Sequence, residues 1–227
     1  RLGAMVYGSV AEENIQLNEN TFWAGGPHNN LNLKAKESLS RIRQLINSGD
    51  YAAASDLAQQ TITSQGSQGM PYQSAGNLLI NFSDHQNFKN YYRELDINTA
   101  VTHARYSVGD VDYERDLFTS FTDQVIAIHL HASRAGALNF TLQLTHPDKA
   151  QIAANKTTGT IELQTRSRDH EGVKGQVDLV DTLANELFLL QTCGDDRAVV
   201  ETYVAGRPMK SALAAWRGKA GWLSRQS

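Results

Sequence analysis

Apolar and polar residues alternate in short runs over most of this chain, and near Lys34 the period lengthens to that of a helix. At the start, "RLGAMVYGSV" is an apolar run broken by glycines, followed by the charged "AEEN" and the alternating "IQL". This predicts a hairpin of two short strands, with Glu12 and Glu13 as solvated charges in its turn. From Lys34 onward Leu39, Ile42, Leu45 and Ile46 recur at helical spacing, and Gly49 ends the pattern as a C-terminal cap would. Asp50 is placed to cap a second, alanine-rich helix through "YAAASDLAQQTI". A helical pair over 34–62 is therefore expected as an insertion among strands. "TSQGSQGMPYQSAG" after it reads as a long loop.

From Asn77 to Thr145, "NLLINF", "AVTHARYSV", "VDYERDLFTSF", "QVIAIHLHA" and "ALNFTLQLT" predict an antiparallel meander, so the fold class is mainly β. Weaker strands follow at "TTGTIELQTRS", "QVDLVDTL", "ELFLLQT" and "AVVETYVAG", interrupted by the charged loop "SRDHEGVKG". The stretch from Arg207 to Ser227 has helical composition around Ala212, Ala215, Trp216 and Trp222. One hairpin is predicted in register. If Gly109 and Asp110 form a two-residue turn, Val108 faces Val111, Tyr106 faces Tyr113, Arg105 faces Glu114 and His103 faces Asp116. The acidic alternation Asp112, Glu114, Asp116 then lies on one solvated face with cationic neighbours across the strands, without any metal.

At 227 residues the chain is long enough to bury a sizeable core, so metals or disulfides are not needed for stability. The single cysteine, Cys193, follows the apolar "LFLLQT" and is expected as a small buried hydrophobe. With 21 basic and 24 acidic residues dispersed to a net charge of −3, nucleic acid is not an expected partner. No apolar run approaches the roughly 20 residues that span a bilayer as a helix, so no membrane partner is expected. The chain starts at Arg1 rather than a methionine, and is expected to be a piece of something longer.

Candidate chemistry concentrates in "NIQLNENTFWAGGPHNN". Glu19, between Asn18 and Asn20, either hydrogen-bonds sugar hydroxyls or ties down the loop. Trp23, ahead of Gly25, Gly26 and Pro27, either stacks on a sugar ring or packs under its own loop. His129 and His131 lie two apart on a strand and share a face, a zinc-type spacing, but no third ligand stands at motif distance, and they read as surface residues. Asn81, Asn139 and Asn155 fit the glycosylation pattern, the first two within predicted strands. No P-loop, dinucleotide fingerprint, nucleophile elbow, H-E-x-x-H or C-x-x-C occurs.

The fragments "RLGAMVYG", "IQLNENTFWAGGP", "MPYQSAGNLLINF", "YYRELDINTAVTHARYSV", "VDYERDLFTSFTDQVIAIHLHASRAGALNFTL" and "DHEGVKG" occur in an order, over roughly 1–175, that resembles the N-terminal domain of glycoside hydrolase family 95, the α-L-fucosidases. The resemblance implies a large antiparallel β-sandwich (a supersandwich) over 1–205, with 206–227 as a helical tail or linker start. It implies that the catalytic Glu, and the Asp and Asn that activate water for inversion, belong to an (α/α)6 barrel further along such a chain. Catalytic residues, metals and cofactors are accordingly expected to be none in this chain, which would be inactive alone. Asn18, Glu19, Trp23 and His28 are assigned to substrate binding or to the domain interface. The expected partners are the barrel of the parent chain and, in the parent, a fucosylated glycan; the isolated chain is expected to dimerise through the surface the barrel would cover. A bacterial periplasmic or extracellular location is implied by the family. Two other readings stay open: a freestanding carbohydrate-binding module using Trp23, and a docking domain without sugar contact.

Overall fold

The structure, a computed structural model, describes residues 1–64, 69–155, 160–186 and 196–204. It divides into two compact units: Arg1–Phe22 with Gln73–Arg166 and the chain from Asp178, and Trp23–Tyr72 with Ser167–Val177.

The first unit is a sandwich of two antiparallel sheets. β1 (Leu2–Val6) and β2 (Glu12–Glu19) form the predicted N-terminal hairpin, and β3 (Gly76–Asn81) and β8 (Thr141–Thr145) extend it in the order β1-β2-β3-β8. The larger sheet holds β4 (Phe88–Asp96), β5 (Val101–Val108), β6 (Val111–Ser120), β7 (Val125–Ala132), β9 (Ala150–Asn155), β10 (Thr160–Arg166), β11 (Asp178–Glu186) and β12 (Asp196–Val204). Their order is β4-β5-β6-β7-β12-β11-β10-β9. The period-2 pattern decides which residues face inward. Ile126, Ile128 and Leu130 of β7 are buried together with Ile15 and Leu17 of β2 and Leu78 and Ile80 of β3. Each such side chain contributes roughly 1.5–3 kcal/mol on burial. The mainly β class and the sandwich architecture are as expected, and the Gly109 hairpin has the predicted register at every named pair. Gly109 carries φ +61, the conformation that a two-residue turn with glycine first demands.

Three expectations are corrected. The meander is not continuous, because β3 pairs with β2 and β8 rather than with β4, so the chain changes sheet between Asn81 and Phe88. β4 and β9 were not expected as strands; eight of nine β4 residues and five of six β9 residues are exposed, which removes the alternation that marks a half-buried strand. Glu13 is not a solvated turn charge but a buried residue of β2. Of the expected strand "ELFLLQT" over 186–192, residues 187–192 lie outside the described residues, as do Cys193 and residues 206–227.

In the second unit, α1 (Ala35–Asn47) and α2 (Tyr51–Thr61) form the predicted helical pair. The Asp50 side chain accepts from the Ala53 amide at 3.2 Å, and Gly49 follows the C-terminal cap residue Ser48. Ile42 and Leu45 meet Ala54 in the seam between the helices, with Leu57 and Ala58 against it. Ser167–Val177 forms a short hairpin, closed by Ser167 N–H to Val177 O at 2.8 Å and turned at His170 and Val173, which exchange both backbone bonds.

Candidate functional site

The loop that leaves β2 is held by its own side chains. Glu19 accepts from the Thr21 amide at 2.8 Å and from the Thr21 hydroxyl. Both of these bonds tie the carboxylate to its own loop. The Asn18 amide donates to Gln16 O at 3.3 Å. Phe22 is fully buried.

Trp23 opens the second unit. It bridges to Tyr72, and the two rings meet edge to face with centroids 5.3 Å apart, 46% and 40% exposed. Trp23 therefore does not pack under its own loop, nor does it fill the space beside the glycines. Gly25 has φ +64, and a Cβ there would lie 2.6 Å from the Met70 sulfur; a Cβ on Gly26 would lie 2.5 Å from the Gln176 carboxamide carbon. Met70 and Gln176 occupy that space and would have to move for a side chain at either position, and at Gly25 the positive φ adds backbone strain. Backbone bonds stitch the segment on both sides, from Ala24 N–H to Pro71 O, Gly25 N–H to Arg168 O and Gln176 N–H to Gly25 O. His28 is exposed, with Nδ1 3.0 Å from Gly26 O. Trp23 and His28 thus share one segment of the second unit, whereas Asn18 and Glu19 belong to the first.

The remaining candidates resolve into structural pairs. His103 Nδ1 lies 2.7 Å from one oxygen of Asp116 and His129 Nδ1 3.4 Å from the other; His131 Nδ1 lies 3.7 Å from Glu114. Asp116 is consequently half-buried rather than solvated, while Arg105 lies over the ring of Tyr92 at 5.3 Å. Among the described residues no group of three His, Cys, Asp or Glu side chains is placed to hold a metal ion. Asn139 lies in the exposed stretch before β8, not in a strand, and Asn81 ends β3.

Sequence reading missed one charged pair altogether. Glu13 and Arg115 are both buried, with Oε2 and Nη2 3.2 Å apart, beside a cavity of about 680 Å³ in the first unit. Arg115 also donates to Ser9 O, and its guanidinium sits 5.6 and 5.7 Å from the ring centres of Phe82 and Tyr106. Burial raises the Glu13 carboxyl above its usual value despite the opposing pull of Arg115. The signal was present in β6, where Val111, Tyr113, Arg115 and Leu117 alternate on the inward face, and an inward arginine demands a buried partner.

Residues 1–185 match the family described as "Glycosyl hydrolase family 65, N-terminal domain". The chain belongs to that family. It is 38% identical over 163 residues to "Alpha-L-fucosidase 2" of Arabidopsis thaliana, covering 69% of this chain. It is 32% identical over 157 residues, 65% of this chain, to "Probable alpha-fucosidase A" of Aspergillus niger, and 29% identical over 140 residues, 59% of this chain, to the protein of the same description from Aspergillus oryzae. The matched segment is 19% of each relative's length. The resemblance to fucosidase N-terminal domains stands, and in these relatives the glycosyl hydrolase domain found here is part of a much longer chain.

Proposed function

We propose that this chain is the N-terminal β-sandwich part of an α-L-fucosidase-like, inverting glycoside hydrolase that removes terminal α-L-fucosyl groups from glycans outside the cytoplasm. The chain itself supports the catalytic part and does not turn over substrate alone. The observation that carries the reading is the 38% identity to a fucosidase of which the matched segment is only 19%. The side chains support it too. Inversion needs a protonated acid and a carboxylate base about 6.5–9.5 Å apart across the sugar, whereas Glu19 is bonded to Thr21 within its own loop and Glu13, the carboxyl raised by burial, is held in an ion pair.

The test is hydrolysis of a 2-fucosylated oligosaccharide and of a chromogenic fucoside by this chain, beside the uninterrupted protein encoded by its gene. Activity in the longer protein alone is expected; turnover by the 227 residues overturns the reading. The half-exposed Trp23–Tyr72 pair favours a second reading, in which this segment contacts sugar. Quenching of tryptophan fluorescence on titration with fucosylated oligosaccharide, abolished in Trp23→Leu, would support it.

A further inference from the structure

The chain passes from the smaller sheet to the larger through residues 82–87, between β3 and β4. Phe82 and His85 are buried, at 1% and 4% exposure, whereas Ser83, Asp84, Gln86 and Asn87 are exposed. Two side chains therefore hold the crossover. Phe82 N–H donates to Ala11 O at 2.8 Å, and His85 N–H closes a turn on Phe82 O at 3.2 Å. The turn lays the two rings together, stacked with centres 4.9 Å apart. His85 is gripped from the larger sheet as well. Its ring centre lies 4.3 Å from that of Tyr113 in β6 and 5.5 Å from that of Tyr106 in β5, with Nδ1 2.9 Å from the Tyr106 hydroxyl.

This clamp suits a neutral imidazole and penalises a charged one. Around the ring stand Tyr113 and Arg115 of β6, Tyr106 of β5, Glu13 of β2 behind Arg115, and Asp84 of the turn itself. The Arg115 guanidinium already lies over Phe82 and Tyr106, so two of the aromatic faces that could attract a second cation are taken. Glu13 is paired with Arg115, and burial pushes the Tyr106 hydroxyl up to about 12. Asp84 is exposed and favours the charged ring. Burial, followed by the repulsion of Arg115, holds the His85 ring below its usual value of 6.5 despite Asp84. We propose that His85 is a pH-operated latch on the crossover, shut while its ring is neutral and released when the ring takes up a proton. A released ring regains the ordinary histidine value. The closed turn is therefore fully favoured above pH 6.5, loses that advantage as pH falls from 6.5 to the lower closed value, and is constant below it. Both sheets keep their own ladders, so the release is local to the turn.

The experiment is residue-resolved amide exchange on this chain between about pH 8 and pH 5, the range in which histidine titrates, corrected for the intrinsic pH dependence of exchange. Protection at the His85 amide is expected to fall at least about threefold over that range. Low urea is expected to leave exchange at His85 unchanged and to speed it at Ile128 of β7, because opening the turn exposes little surface and opening the sheet exposes much. Neither His85→Phe, which keeps a ring in the clamp, nor His85→Gln, which keeps a partner for Tyr106, takes up a proton, and both are expected to lose the fall. Asp84→Asn, at an exposed position, removes the charge that favours the imidazolium and is expected to enlarge it. Three results overturn the latch: a His85 ring that titrates at 6.5 or above by proton NMR, a fall that persists in both His85 variants, or the same urea dependence at His85 as at Ile128. The ring titration is read on the unmutated chain and decides the matter even where neither variant folds.

Discussion

Arg115 of β6 reaches from the larger sheet to Glu13 of β2 in the smaller one, 3.2 Å between charged atoms that are both buried. Losing one partner of such a pair strands the other, at a cost of about 3–5 kcal/mol. Glu13 has a folded value raised above 4.5. Folding therefore takes up a proton, and the stability falls as pH rises from 4.5 to the folded value and is flat above it. Glu13→Gln is expected to remove that slope. Arg115→Met, which deletes the influence opposing the rise, is expected to steepen the slope and extend it to higher pH. Urea unfolding at intervals between pH 4.5 and 8 reads both; identical slopes in all three proteins would contradict the assignment.

Asp116 has the opposite sign. Burial pushes its carboxyl up, but the hydrogen bonds with His129 and His103 outweigh burial and leave it below 3.8. Its contribution is fully present above pH 3.8 and disappears as pH falls through the lower folded value. Asp116→Asn is expected to lose about 1–3 kcal/mol at pH 6 and to lack the wild-type loss of stability below pH 3.8. Acid titration followed by circular dichroism distinguishes the two proteins.

The parts legible in the sequence were those with one wet and one dry face. Ala104 and Tyr106 of β5 and Val111, Tyr113, Arg115 and Leu117 of β6 stand two apart on the buried face, and a glycine at 109 fixed the turn between these strands, so even individual partners such as His103 and Asp116 could be named. β4 and β9 stand at the two ends of the larger sheet and are exposed almost throughout, so their pairing rests on backbone bonds that leave no mark in side-chain pattern. Glu13 was misplaced because a charge beside a turn looks solvated until its partner is known, and Arg115 lies about a hundred residues away. The surroundings of Gly25 and Gly26 were illegible for a related reason: the space beside them is taken by Met70 and Gln176, which arrive from distant loops.

Gly25 is expected to resist substitution for two separable reasons. Its φ of +64 strains any residue with a Cβ, by about 1–2 kcal/mol, and the new atom would sit 2.6 Å from the Met70 sulfur. Gly25→Ala should therefore destabilise by more than the backbone strain alone, and Met70→Ala in the same protein should recover the steric part. A double-mutant cycle by thermal unfolding measures this recovery. Strictly additive losses would mean that Met70 is not what closes the space.

Asp50 joins the order of the helical pair to a single cap. Its carboxylate accepts from the Ala53 amide, and its own amide bonds to Leu45 O at 2.9 Å, so one residue ends α1 and starts α2. Asp50→Ala removes only the side-chain half and is expected to cost about 1 kcal/mol, whereas Asp50→Asn, which keeps an acceptor, is expected to be nearly neutral. The loss should be local. Amide exchange at the start of α2 should quicken in Asp50→Ala while that of β7, buried in the other unit, stays unchanged. Faster exchange throughout both units would show instead that the helical pair unfolds only together with the sandwich.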